Sequence, residues 1–103
     1  MPTLDLNAPG ATPIQIVRGL AAAGDVIRSS GLSPEFVQAG HLCVVECRAG
    51  KRRLGDDSWH WRAAAVFEAA QDAALRACFG DRAAPAGSAL MIVDSKGPAT
   101  FLD

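Results

Sequence analysis

The sequence is poorest in the features that would announce a function at once. No apolar run approaches the roughly 20 residues that a membrane-spanning helix needs. The segment Met1 to Asn7 has no basic cluster leading into a secretory core, so no signal peptide is expected. An excess of one charge is also missing, because Lys and Arg number 10 against 11 for Asp and Glu, a net charge of −1. Nucleic-acid binders usually carry a strongly basic balance, since neutralising phosphate supplies much of their affinity. That global signal is excluded, which leaves only a local basic patch to consider. There is no Gly-x-Gly-x-x-Gly or Gly-x-x-x-x-Gly-Lys phosphate loop and no Gly-x-Ser-x-Gly nucleophile elbow. Internal repeats and low-complexity linkers are absent as well.

What is present describes an ordinary globular chain. Of 103 residues, 50% are hydrophobic and 20% charged, proportions that suit a folded domain and not a disordered one. The length predicts one domain, large enough to fold without a metal or disulfide, and no cofactor is expected. Arg outnumbers Lys heavily and Ala is abundant, a coding bias of bacterial type before it is a physical signal. The 3 cysteines, Cys43, Cys47 and Cys78, are odd in number. Reduced thiols and a cytoplasmic location are therefore expected.

Residues 1–11 read as an irregular lead-in, with Pro2, Pro9 and Gly10. Thr12, Pro13 and Gln15 then form a capping box at a helix start. Ile14, Val17, Leu20 and Ala21 recur at helical spacing, and Gly31 can terminate the element, so a helix is expected over about 13–30. Gly19 and Gly24 inside it suggest close packing or a bend. Ser33-Pro34-Glu35 repeats the start signal, and Gly40 reads as the stop of a short helix. His41 to Ala49 reads as a strand, 50–57 as a loop, and Trp59 to Arg62 as the returning strand of a hairpin. Ala63 to Phe79 favours helix by its alanines, but alternation from Trp59 to Phe67 leaves 63–68 open between strand and helix. A helix is secure only over 69–79, ending at Gly80. Ala89 to Val93 is an apolar strand, and Thr100 to Leu102 can return beside it after the Ser95–Pro98 turn.

Four groups of residues invite a chemical reading. His41, Cys43 and Cys47 carry zinc-ligand chemistry, but four extended residues span about 13 Å. That exceeds both a shared metal, with ligands near 2.3 Å, and the roughly 7 Å Cα limit of a disulfide. The cysteines are then small buried hydrophobes, unpaired and without metal. This holds only while residues 43–47 are extended, because a helical step of four would bring the two thiols together. Asp56, Asp57 and His60, with Glu46 across the hairpin, could serve acid–base or metal chemistry, although loop aspartates usually serve turns. Gly24 to Gly40 has the outline of a helix-turn-helix, but the second helix is short and carries Glu35 with no Lys or Arg, a poor face for the major groove.

The basic loop Lys51-Arg52-Arg53 beside Trp59 and Trp61 is the remaining group. Arg and Trp are enriched at the energetic centres of protein interfaces, and basic side chains with aromatics can also hold single-stranded nucleic acid. The sequence thus reads as an α+β fold, a small antiparallel sheet of two hairpins covered by two to three helices. Its expected function is a non-enzymatic interaction module. It would bind another protein with an acidic surface, as a subunit, inhibitor or accessory factor, through Lys51, Arg52, Arg53, Trp59 and Trp61. Nucleic acid bound by the same loop is the second reading. A small cofactor-free enzyme using His41 or His60 is the third. No membrane partner is expected, and self-association is compatible with all three.

Overall fold

The computed structural model describes residues 2–94. Its elements follow the order β1 (Pro2–Asn7), α1 (Pro13–Ser30), α2 (Pro34–Arg48), α3 (Trp59–Phe79) and β2 (Ala89–Asp94). The two strands form one antiparallel sheet, so the described residues make an α+β fold with three helices and a two-stranded sheet. Among the described residues the sheet is not closed by a hairpin. It joins the two ends of the described segment, with Leu4 opposite Ile92 and Leu6 opposite Leu90.

The expected irregular lead-in is therefore strand β1. Alternation decides it: Leu4 and Leu6 turn inward while Thr3, Asp5 and Asn7 stay exposed, the period-two pattern of a strand covered on one face. Pro2 is tolerated because it opens the strand, where a missing N–H is least costly. Pro9 and Gly10, with φ +82 at Gly10, make the turn into α1. Asn7 Nδ2 donates to the Gly87 carbonyl at 2.7 Å and ties the two strand ends together.

Helix α1 forms as its sequence predicts. Thr12 Oγ1 accepts from the Gln15 backbone N–H at 3.3 Å, and Gln15 Oε1 accepts from the Thr12 N–H at 2.7 Å. Gly31, at φ +74, closes the helix.

Helix α2 corrects the expected strand at 41–49 and the stop at Gly40. Ser33 caps it as expected, accepting from the Phe36 N–H at 3.2 Å, but the helix runs on to Arg48. The true stop is Gly50, at φ +77. There the Lys51 N–H reaches the Glu46 carbonyl and the Gly50 N–H the Cys47 carbonyl, the paired bonds of a Schellman motif. Gly40 is instead a packing glycine: a Cβ there would collide with that of Ala63 and lie 3.0 Å from the His60 carbonyl.

Helix α3 corrects the hairpin. Ser58 caps it, and Trp59 to Arg62 is its first turn instead of a strand, which also resolves 63–68 as helix. It ends at Gly80 as expected. This helix is the centre of the molecule, with α1 and α2 both packed on it. Ala63, Ala64, Ala70 and Ala74 are at most 2% exposed, because small side chains let neighbouring backbones approach. Against α1 the packing is antiparallel: Gln15 Nε2 donates to the Cys78 carbonyl at 2.9 Å, and a Cβ at Gly19 would lie 2.8 Å from the Ala74 carbonyl. Against α2 the contacts step in the same direction along both helices, Phe36 on Trp59, Gly40 on Ala63, His41 on Phe67 and Arg48 on Glu68. A connection between helices running in one sense must return the chain along their length, which is why the loop 49–58 is long.

Leu6, Ile27, Phe67, Leu90 and Ile92 are the large members of the core between the sheet and the helices. Among the described residues no helix is long and apolar enough to cross a membrane. The expected second strand at 100–102 lies outside the described residues.

Candidate functional site

The return loop and the first turn of α3 place the five residues expected to bind. Lys51 and Arg53 are exposed and, among the described residues, enter no ion pair. Arg52 folds back onto α2, with Nε 2.9 Å from Glu46 Oε2 and Nη1 donating to Cys43 Sγ at 3.2 Å. The loop is thus a less basic surface than its sequence suggests, since one of its three cations is neutralised and Asp56 and Asp57 follow in the same segment.

The tryptophans do not share a face. Two residues apart on a helix they point about 200° apart around its axis, whereas the expected strand would have aligned them. Trp61 is half-buried and donates Nε1–H to the Gly55 carbonyl at 2.8 Å, pinning the loop to α3. Trp59 turns outward and is 42% exposed. It stacks on Phe36, with ring centroids 4.1 Å apart and planes inclined by 28°. On Trp59 there is also the imidazole of His60, with centroids 3.8 Å apart.

Phe36, itself 38% exposed, is the residue that sequence reasoning missed. Its signal was present in the Ser33-Pro34-Glu35 helix start, which sets it in the first turn of α2 just as Ser58 sets Trp59 at the start of α3. Two helices of the same sense, each beginning with an aromatic, bring those rings together. Phe36 and Cys43 are seven residues apart, two helical turns on one face and about 10 Å. The aromatic pair and the point where Arg52 meets α2 therefore lie along one stripe.

The histidines have separate settings. His41 is half-buried and stacks on Phe67 at 3.8 Å, with planes inclined by 13°. Its Nδ1 is buried without a hydrogen-bond partner. Burial lowers its pKa below the usual histidine value; Glu68 opposes this and Arg48 adds to it. His60 Nδ1 meets the Ser58 hydroxyl, which also caps α3. Among the described residues no carboxylate hydrogen-bonds to that imidazole, so the pair lacks the third group that orients a catalytic base. Glu46, expected across a hairpin from His60, is held by Arg52 instead.

Cys43 and Cys47 are half-buried and Cys78 is buried, all three as free thiols. Because 43–47 is helical, the first two are neighbours on α2, and the separation expected from an extended segment does not apply. The short second helix that argued against a helix-turn-helix is also overturned, as α2 runs to Arg48. However, α1 and α2 each pack on α3 more than on one another.

A second exposed apolar pair, Ile14 and Val17, lies on the outer side of α1, each 65% exposed. Two surface clefts lie elsewhere, one of about 330 Å³ between Asp72, Arg76 and Arg82, the other of about 230 Å³ between Leu4, Ile27 and Leu32. Comparison with protein-family models, with curated proteins and with solved structures gives no match.

Proposed function

We propose that this chain is a non-enzymatic interaction module that docks another protein through the start of α2 and α3. The observation that carries the reading is the outward-facing Phe36–Trp59 stack. Exposed aromatics held rigidly by neighbours offer large contact area with little side-chain entropy to lose, and Trp is over-represented among residues that dominate binding energy. Lys51 and Arg53, free of ion pairs among the described residues, flank in sequence the Arg52 that meets α2. Their place on either side of Arg52 in the loop favours a partner that sets carboxylates beside an apolar centre, with the charges steering association.

Nucleic acid is the weaker reading. With Arg52 committed to Glu46, two free loop cations predict a salt dependence of slope only about −2 on duplex DNA. The test is capture of partners by the purified chain from an extract of its source cells, with Trp59→Ala and the double replacement Lys51→Ser, Arg53→Ser as comparisons. The aromatic change should abolish capture, and the double replacement should slow association chiefly at low salt. Capture that survives both places the working surface elsewhere.

A further inference from the structure

We propose that Cys43 and Cys47 form a two-thiolate site for a soft monovalent cation, with Cu(I) as the fitting chemical class. The two cysteines stand four residues apart on α2 and are half-buried. Residues so spaced on a helix hold their Cβ atoms about 5–6 Å apart on one face. Two sulfurs about 2.3 Å from a common ion are at most about 4.6 Å apart, a span that the thiols can close by rotation about χ1 alone.

The surroundings select the ion. Among the described residues no three His, Cys, Asp or Glu side chains gather as a metal site, so the four ligands of a structural zinc centre are not assembled. The nearest carboxylate on the helix, Glu46, is held by Arg52. Thiolate favours soft ions, Cu(I) and zinc among them, and two thiolates with no third donor among the described residues suit the one that accepts few ligands, Cu(I). Binding displaces one proton from each thiol to solvent, and copper remains Cu(I) throughout. The bound unit carries one net negative charge, two thiolates against one cation. Arg52 Nη1 lies 3.2 Å from Cys43 Sγ and donates to that sulfur while its Nε stays on Glu46. The same guanidinium closes one side of the site with the loop, while Cys78 lies in the core, 3% exposed.

The test titrates the reduced full chain with Cu(I), without oxygen, against a chromogenic Cu(I) chelator. The expected result is one ion per chain. Cys43→Ser and Cys47→Ser should each weaken binding at least tenfold, Arg52→Gln a few-fold, and Cys78→Ser not at all. Alkylation of the unaltered chain supplies a readout independent of how the variants fold: Cu(I) should protect Cys43 and Cys47 together. Protection of only one of them, half an ion per chain, or undiminished binding by Cys43→Ser would overturn the proposal.

Discussion

Gly40 lies so close to Ala63 that a single added carbon at position 40 would overlap the alanine side chain. The contact sets the spacing of α2 and α3, and with it the meeting of Phe36 and Trp59 one turn earlier. Gly40→Ala should therefore destabilise the fold by about 1–3 kcal/mol, the range for overpacking a tight contact. Gly24→Ala is the control, because a Cβ there meets only the flexible Arg28 guanidinium, at 3.2 Å. It should be neutral or stabilising by up to about 1 kcal/mol through helix propensity. Denaturant titration of both variants separates a packing glycine from a tolerated one.

Gln15 serves two helices. Its Oε1 completes the α1 cap and its Nε2 donates to the Cys78 carbonyl near the end of α3. In an ordinary capping box Glu is as good as Gln. Here Gln15→Glu keeps the cap, loses the donor and sets a carboxylate against a carbonyl at the negative end of a helix. A loss of about 1 kcal/mol or more is expected. An unchanged unfolding midpoint would mean that the link to α3 contributes nothing.

His41 makes stability depend on pH in one direction. Burial against Phe67 lowers its folded pKa below the unfolded value, with Glu68 opposing and Arg48 reinforcing the shift. The unfolded chain then binds the proton more readily, so stability rises with pH across the window. His41 contributes fully above about pH 6.5, the ordinary histidine value. Its contribution declines below that and levels off once the folded pKa is passed. Urea titrations of the chain and of His41→Phe between pH 5 and 7.5 should differ in slope, with the shallower dependence in the variant.

The two tryptophans should report different environments. Iodide should quench Trp59, read in Trp61→Phe, several-fold more strongly than Trp61, read in Trp59→Phe. Equal quenching would contradict the helical first turn of α3, because an extended segment places both rings on one face.

Much of the helical frame was legible locally. The Thr12–Gln15 box, the Ser33 cap and Gly80 each act through their own neighbours, and the structure keeps all three. Gly40 misled because a glycine after a short helical run resembles a stop, while its real role depends on Ala63, which is distant in sequence. His41 to Ala49 misled because Val44 and Val45 favour strands locally, but Val37, His41, Val44 and Arg48 also follow a helical step. Strand β1 was hidden because its partner lies at the other end of the described chain, although the alternation of Leu4 and Leu6 was visible. The candidate site was half legible. Loop and tryptophans stood out by composition, but the pairing of Phe36 with Trp59 required knowing that α2 and α3 run in the same sense.

The most direct test of docking through Phe36 and Trp59 compares two exposed apolar pairs among the described residues in one capture assay. The source-cell partner should be lost with Trp59→Ala and kept with the double change Ile14→Ser, Val17→Ser on α1, thermal midpoints being matched. Loss with the α1 change and retention with Trp59→Ala would contradict the account, and would assign the working surface to α1.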